Sequence, residues 1–447
     1  MLTALKKFLR SIFFPSVYIG GWLISFYSLF RNAWWGFVLF ISLIPQPNIW
    51  YKFHELPMGK DYMDILFLSV FLGIFIQKSI IPKTSNTIII TIFLINSYFA
   101  LWVSSSNFGL PAPISPASRQ LMEWKNFAQM VLIYFLTIAL VKTEKQQKYV
   151  FMLMSFILFF VSLRNYRNFT GGPSFNWDRR VGGPFERVGL GANHYAAFIS
   201  YCQSAVLGMS FFEDDKRIKL FYIITFCMCL HPLLYSYSRG AYVAATLVII
   251  FYAFYKKPML LVGLLVVAIG WKTILPMSVI DRIDRTITES GELEGSAYSR
   301  LLLWEQSRGI INRNPVLGSG WESFGLAINP DDRIHELTDT HNYYIKVLCD
   351  RGVAGLLLLL FLLFKAFLSG YKLYRIGNSQ FQKGLGFCFL GSILSLVTTN
   401  MFGDRFTYFV LGSYFWLLWG LVDVGILLVE QNSEAQLEGA SQGGYTP

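Results

Sequence analysis

The chain has 447 residues, of which 54% are hydrophobic and only 15% are charged. A soluble domain usually carries roughly 25% charged residues, so this composition argues against a soluble enzyme. The net charge of +11 would indicate a nucleic-acid partner in a soluble protein, but lysine and arginine also collect in the cytoplasmic loops of membrane proteins. We therefore predict an integral membrane protein with no nucleic-acid partner.

Apolar runs recur from one end of the chain to the other. A bilayer core of about 30 Å needs roughly 20 mostly apolar helical residues to cross it. Thirteen candidate segments lie near residues 12–30, 33–50, 63–80, 86–104, 125–141, 148–163, 189–211, 219–235, 240–255, 258–275, 353–369, 384–400 and 405–429. They predict an all-α, polytopic transmembrane helix bundle.

Lysine-bearing turns predict which loops face the cytoplasm. These turns include residues 142–148, 216–219, 256–257 and 365–383. Placing them inside gives consistent alternation from residue 78 onward. Thirteen crossings would then put the basic N-terminus outside, against the same bias. We expect about twelve spans, and the second segment, which contains Pro45 and Pro47, is the better candidate for an irregular path.

Two of the predicted outer loops are rich in arginine. Residues 164–187 contain five arginines and no lysine, and residues 276–340 contain six arginines, eleven carboxylates and no lysine. Residues 298–312 are predicted to form a helix inside the second loop, ended by Asn314 and Pro315. A loop of this length in a compact protein is usually functional or disordered, and its aromatic content argues against disorder.

Two arginines lie beside glycines where a predicted outer loop meets an apolar helix. Arg187 precedes Val188 and Gly189, and Arg239 precedes Gly240. The planar guanidinium suits bidentate contact with phosphate oxygens. The alternative is that each arginine only extends its head group to the membrane interface. Two such arginines on one side favour an anion site.

His341 is the best candidate for a catalytic base. It follows Thr338, Asp339 and Thr340, and any of these can cap a helix that starts at His341. The positive end of that helix would lower the histidine pKa, and a neutral imidazole can accept a proton from a hydroxyl. The alternative is an interfacial histidine bonded to backbone. His194, near Arg187, is a weaker second candidate.

No metal or disulfide motif is evident in the sequence. The five cysteines lie in or beside apolar runs, and the five histidines show no metal-ligand spacing. We therefore expect no metal site and no cofactor.

These stretches together resemble the O-antigen ligase and polymerase superfamily of bacterial membrane glycosyltransferases. The resemblance covers roughly residues 180–400. It rests on residues 187–193, on Ser238, Arg239 and Gly240, on His341 and Asn342 followed by Gly352 and Gly355, and on an outer-loop helix containing Arg300 and Trp304. His194 is a departure, because many relatives have a different sequence there.

The resemblance implies metal-independent transfer of a glycan from undecaprenyl diphosphate to an acceptor hydroxyl, on the periplasmic face of the bacterial inner membrane. Carried over to this chain, Arg187 and Arg239 would hold the diphosphate and His341 would activate or orient the hydroxyl. The other expected substrate contacts are Arg180, Asn193, Arg300 and Asn342. The leading function is a ligase acting on lipid A–core, and a repeat-unit polymerase or a protein O-oligosaccharyltransferase stays open.

The implied organisation has four parts. They are N-terminal transmembrane helices over residues 1–163, a ligase-like catalytic region over 164–400 that includes the periplasmic loop 276–340, a C-terminal transmembrane helix over 401–429, and a flexible cytoplasmic tail over 430–447. A secondary transporter is the alternative from a different class. Transporters place charges near the membrane midplane and often have two similar halves, whereas here the charges gather at one face and the halves do not match.

Overall fold

The computed structural model describes residues 2–169, 174–285, 295–328 and 339–442, and within these ranges the chain forms helices and turns with no strand. The helices are α1 (Leu2–Phe30), α2 (Ala33–Leu43), α3 (Pro47–Trp50), α4 (Tyr62–Ile76), α5 (Thr87–Phe108), α6 (Arg119–Leu140), α7 (Glu144–Asn168), α8 (Ala192–Ser210), α9 (Lys216–Tyr235), α10 (Arg239–Tyr255), α11 (Met259–Ile274), α12 (Met277–Asp284), α13 (Gly295–Arg313), α14 (Ser323–Ala327), α15 (Tyr343–Ile376), α16 (Gln380–Asn400) and α17 (Phe409–Gln442). The predicted all-α class is confirmed.

Seven of the described helices are long and apolar enough to cross a membrane, judged by length and composition. They are α1, α5, α7, α9, α15, α16 and α17. The helices α11 and α12 would make an eighth span together, although the chain bends by 101° between them. The chain is therefore a multi-pass membrane protein.

The first two helices both run alongside α4. Near the start of α4 the Tyr62 ring packs against Gly21 of α1, and beyond its end the Gln77 side chain donates to the Ser28 carbonyl of α1 at 2.7 Å. The same Gln77 side chain accepts a hydrogen bond from the backbone N–H of Ala33 at 3.1 Å. Hence α1 is parallel to α4, and α2 runs in the opposite direction beside them.

The second apolar segment contains the predicted irregular path. The irregular path at Pro45 and Pro47 is confirmed, since α2 ends at Leu43 and the short α3 begins at Pro47. Proline fits the first turn of a helix because it has no N–H to leave unpaired. Helix α2 has 11 residues and is not among the helices long enough to cross, so the second segment stays the predicted non-crossing segment.

The centre of the bundle is built from α8, α16 and α17. Small residues let α8 and α16 approach closely, because a Cβ on Gly208 would lie 2.9 Å from the Cα of Cys388. In α17, the stacked rings of Trp416 and Trp419, 5.6 Å apart, are fully buried. This rigid core supports the loops at the end of the bundle where α8 and α10 begin.

Helix α15 is interrupted at Gly352, whose φ of 62° and ψ of −164° are accessible to glycine and strained for other residues. The chain after α13 crosses this break and satisfies the freed backbone groups. The N–H of Val353 donates to the Pro315 carbonyl at 2.8 Å, and the N–H of Ala354 donates to the Val316 carbonyl at 3.1 Å. The break therefore fixes the loop that follows α13 against the first part of α15.

The helix predicted at residues 298–312 is confirmed, as α13 covers Gly295–Arg313. Helix α17 continues to Gln442, so residues 430–442 of the predicted tail are helical, and the flexibility of 430–447 stays a prediction. Residues 430–438 are mostly good helix formers and contain no proline or glycine. Extending an existing helix does not incur the cost of a new nucleus.

Candidate functional site

Several connecting segments meet at one end of the bundle. The loop before α8 bonds to the end of α9, since the Val181 N–H donates to the Tyr235 carbonyl at 3.0 Å. The segment after α13 bonds to the end of α5, since the Asn107 side chain donates to the Ser319 carbonyl at 3.1 Å. These contacts gather arginines from distant parts of the sequence.

A pocket at this end contains four arginines, and we call it the arginine pocket. It is lined by Trp177, Arg180, Asn193, Tyr237, Ser238, Arg239, Gly240, Arg282, Arg300 and Phe402. The four guanidinium groups come from the loop before α8 and from α10, α12 and α13. None of these lining residues is a carboxylate, so the pocket has the charge of an anion site.

Neighbouring groups hold two of the four arginines in place. Arg180 donates to the Asn193 side-chain oxygen at 2.7 Å and to the Ser236 carbonyl at 2.8 Å. Arg282 donates to the Tyr237 carbonyl at 3.4 Å. The guanidinium carbons of Arg180 and Arg282 lie 5.4 and 4.6 Å from the centre of the Trp177 ring. Guanidinium groups ordered in advance lose less entropy when an anion binds.

Arg239 adds a helix N-terminus to the pocket. It is the first residue of α10, and Ser238, which also lines the pocket, is the residue before the helix. The unpaired N–H groups and the positive dipole end of a helix favour anions. Gly240 is required here because a Cβ would lie 2.7 Å from the Phe402 ring. Two sources of positive potential therefore meet at Arg239.

His341 lies just outside a helix. Its φ is 51°, and α15 begins at Tyr343 with Asn342 as its N-cap. The Asn342 side-chain oxygen accepts from the N–H of Tyr344 at 3.0 Å and from that of Ile345 at 3.3 Å. The prediction that residues 338–340 cap a helix starting at His341 is therefore wrong, because the extended Asn342, an equally good capping residue, lies closer to the apolar helix. Thr338 is outside the described residues.

The His341 pKa is lowered from its ordinary value of 6.5, chiefly because the imidazole is partly buried. The positive charges of Arg300 and Arg405 lower the pKa further, and Asp339 opposes them. The direction matches the prediction from sequence, but burial rather than a helix dipole is its main cause. The Nδ1 atom lies 3.6 Å from the Asp339 carboxylate, which is too long for a hydrogen bond.

Helix α13 connects His341 to the arginine pocket. Arg300 lines the pocket and also acts electrostatically on His341. One turn later, Trp304 donates from its indole N–H to the Thr340 carbonyl at 3.0 Å. Residues four apart lie on the same side of a helix, so α13 presents Arg300 to the pocket and holds the residue before His341. A proton acceptor thus lies beside an anion site.

The structure places the remaining expected site residues differently. Arg187 is exposed on the turn before α8 and is not among the residues that line the arginine pocket. The side-chain oxygen of Asn193 accepts from Arg180, and that of Asn342 serves as a helix cap. Sequence reasoning missed Arg282, although it is one of the six arginines in the lysine-free stretch 276–340.

A comparison with known families matches part of the chain. A family model described as O-antigen ligase matches residues 223–360. That stretch carries Arg239, Arg282, Arg300 and His341, which are three of the pocket arginines and the candidate base. Residues 223–360 are therefore similar to the O-antigen ligase family, which supports the resemblance to the O-antigen ligase and polymerase superfamily found in the sequence. No curated protein matches the chain at a significant level.

The similarity to this family indicates a glycosyltransferase-like enzyme with glycan and lipid-linked substrates in general. Among the described residues, no group of three or more histidine, cysteine, aspartate or glutamate side chains is placed to hold a metal ion. Metal independence stays a prediction, since His335 and the rest of 329–338 lie outside the described residues.

The structure also contains a buried ion cluster that sequence reasoning missed. The Lys346 ammonium on α15 lies 2.7 Å from the Glu322 carboxylate and 2.9 Å from that of Asp404. Burial raises the pKa of Glu322 to about 7, against the opposing effect of Lys346. Asp404 also accepts from the N–H groups of Phe406 and Thr407 at 3.0 and 3.1 Å. Through Lys346, the cluster joins the turn before α14 and the α16–α17 turn to the first turns of α15, shortly after His341 in the chain.

Proposed function

We propose that this protein transfers a glycan from undecaprenyl diphosphate to a hydroxyl of lipid A–core, on the periplasmic face of the bacterial inner membrane. The observation that supports this most strongly is the arginine pocket, whose described lining has four guanidinium groups and no carboxylate, and whose Arg300 acts electrostatically on His341. A diphosphate carries negative charge and pairs of oxygen atoms that a planar guanidinium can contact bidentately.

The donor diphosphate occupies the arginine pocket in this proposal. Arg239 and the N-terminus of α10 contact one phosphate group, and Arg180 and Arg300 contact it from the sides. Asn193 positions Arg180 through their hydrogen bond. Arg187, exposed on the turn before α8, contacts the donor from the open side. Asn342 acts indirectly, because its side chain caps the helix that follows His341.

His341 accepts the proton of the acceptor hydroxyl. The hydroxyl oxygen then attacks the anomeric carbon of the donor sugar, and the bond between that carbon and the diphosphate oxygen breaks. The diphosphate leaves with the bonding electron pair, and the arginines stabilise its growing charge. We propose that no metal ion is needed, as the family resemblance implies, because arginines neutralise the leaving group.

The catalytic region over 164–400 presents this site to the periplasm in our proposal. The lysine-bearing turns lie away from the site, and this distribution supports a cytoplasmic location for them. We propose about twelve crossings, of which seven helices are long and apolar enough by themselves, with the basic N-terminus in the cytoplasm. A cysteine replacing Ser174 should react with an impermeant thiol reagent in intact spheroplasts, whereas one replacing Lys145 should not. The reverse pattern would refute this orientation.

A purified transfer assay tests the function. Protein in liposomes is given undecaprenyl-diphosphate-linked glycan together with lipid A–core, with an acceptor protein, or with donor alone. Loss of donor matched by gain of modified lipid A–core supports the ligase. Chain growth with donor alone identifies a polymerase, and modified protein identifies an O-oligosaccharyltransferase. Movement of intact donor across the bilayer without transfer would identify a transporter.

A further inference from the structure

A second cavity, of about 650 Å³, lies at the same end of the bundle as the arginine pocket. It is formed by the segment around α3, by the start of α6, by the turn before α14 and by residues 407–410. No residue lines both cavities. A transfer enzyme has two substrates, and the donor diphosphate in our proposal occupies only the arginine pocket.

The charge of this second cavity differs from that of the arginine pocket. Its lining includes three cationic residues, Lys60, Arg119 and Lys125, and four carboxylates, Asp61, Asp64, Glu123 and Glu322. Most of these carboxylates are paired with cations, Glu123 with Arg119, Asp64 with Lys125 and Glu322 with Lys346, so the cavity lacks the surplus of cations that the arginine pocket offers a phosphate. A lipid chain would cover charged groups at a high desolvation cost. A neutral ligand with many hydroxyl groups can donate to the carboxylates and accept from the cations.

Two tryptophans give the cavity flat apolar surfaces. Trp50 and Trp321 both line it, and neither indole N–H has a hydrogen-bond partner among the described residues. Both N–H groups are buried in the protein, so what these residues offer a ligand is the surface of their rings. Trp321 is held rigidly, since its backbone N–H donates to the Ala100 carbonyl at 2.9 Å. Aromatic rings and polar groups together match the C–H faces and hydroxyls of a sugar ring.

The cavity borders the His341 region on two sides. Tyr408 lines the cavity, and its ring lies 5.0 Å from the ring of His194. His194 is close enough to His341 for the two to interact electrostatically. Glu322 also lines the cavity and binds Lys346 in the first turns of α15. His341 lies two residues before that helix begins. Tyr408 and Glu322 therefore link the cavity to the region of the base.

We propose that this cavity, the acceptor cavity, holds the sugar rings of the acceptor, with Trp50 and Trp321 as packing surfaces and Glu322 accepting a hydrogen bond from a sugar hydroxyl. The inference rests on the proposed function, because it assigns the second substrate of the same reaction. It divides the two substrates by charge, with the diphosphate in the arginine pocket and the neutral sugar rings in the acceptor cavity.

Binding is tested without catalysis by cysteine protection. Asn126 lines the acceptor cavity and is exposed, whereas Ala117 is exposed nearby but does not line it. Each is replaced by cysteine in a Cys227→Ser background, since the other four native cysteines are buried. Lipid-free core oligosaccharide should slow maleimide labelling at position 126 and not at 117. Farnesyl diphosphate, a probe for the arginine pocket, should leave both positions reactive.

Kinetics provide the second test. Trp50→Ala should raise the acceptor KM roughly two- to tenfold, as expected for loss of one aromatic contact, while the donor KM stays unchanged. Trp50→Phe should restore most of the affinity. Trp177→Ala, in the arginine pocket, should instead raise the donor KM.

The outcomes separate this inference from the proposed function. Normal glycan transfer with no protection and an unchanged acceptor KM would overturn the acceptor cavity and leave the ligase function standing. Protection by farnesyl diphosphate instead of the oligosaccharide would also overturn it. Protection by the oligosaccharide in a protein that transfers no glycan would refute the ligase function and still support a carbohydrate cavity.

Discussion

Arg180 donates a 2.7 Å hydrogen bond to the side-chain oxygen of Asn193, and this bond ties the loop before α8 to the first turn of that helix. The contact orients the Arg180 guanidinium in the arginine pocket before any substrate arrives. It also shows that an expected substrate contact, Asn193, can act by positioning an arginine. A hydrogen bond within the protein therefore orders part of the arginine pocket without a bound substrate.

Arg239 should be the most sensitive of the predicted donor contacts, because it combines a guanidinium with the N-terminus of α10. Removing one partner of a buried charged hydrogen bond typically costs roughly 2–5 kcal/mol, which is about 30- to several-thousand-fold in rate. Arg239→Ala should lose glycan transfer on this scale. Arg239→Lys should fail partially, since lysine keeps the charge without the bidentate geometry.

Arg187→Ala is the matched comparison, because Arg187 is exposed and outside the pocket lining. Its loss should be smaller than that of Arg239→Ala when transfer is measured with equal amounts of inserted protein. Wild-type rates in both alanine variants would show that the arginines do not bind the donor.

His341→Ala should be folded, bind the undecaprenyl-linked glycan and barely transfer it. Removing a general base typically slows a reaction roughly 10²–10⁴-fold, whereas the arginines supply the donor affinity. His341→Gln separates two roles, because glutamine can orient a hydroxyl but cannot accept its proton. Near-normal turnover in the Gln variant would leave His341 as a positioning residue, and full activity in the Ala variant would remove it from the reaction.

The pH dependence of transfer should report the His341 pKa. Because that pKa lies below 6.5, the imidazole is neutral and active at pH 7, and activity should fall only as the pH drops below 6.5. Asp339 raises the His341 pKa and so opposes the effect of burial. Asp339→Asn should therefore lower this pKa further and move the acid limb of the pH profile, where kcat/KM falls, to lower pH. Glu305→Gln, an exposed change on α13 whose partner is Arg308, should leave it in place. A limb that does not respond to Asp339→Asn would argue against His341 as the base.

Lys346 should matter far more for stability than another lysine of the same helix. Lys346→Met leaves the buried Asp404 and the adjoining Glu322 without their shared cation, and breaking a buried pair costs roughly 3–5 kcal/mol. Lys372 pairs with Glu430 at 2.6 Å, but both side chains are nearly half exposed, and such pairs contribute about 0–1 kcal/mol. Thermal unfolding in detergent measures both variants. Equal losses of stability would contradict a structural role for the cluster.

The sequence by itself determined the class of protein and the positions of most helices. Spanning-length apolar runs have one dominant explanation, since lipid leaves few ways to satisfy the backbone. Helix α13 and the irregular path at Pro45 and Pro47 were likewise predictable from the sequence, because glycine and proline determine the backbone conformation close to them in the chain. The lysine-free stretches 164–187 and 276–340 also predicted that arginines would bind an anion, because the affinity of a guanidinium for phosphate oxygens is a property of the side chain itself.

Only the tertiary structure decided which residues meet. Lys346 is separated by 24 residues from Glu322 and by 58 from Asp404, and no local pattern records such pairs. The same holds for Arg282, which enters the pocket because α12 packs near the α9–α10 turn, and for Arg187, which stays on the surface. Periodicity and capping are set by neighbours along the chain, whereas the charge balance of a cavity is set by how whole helices pack.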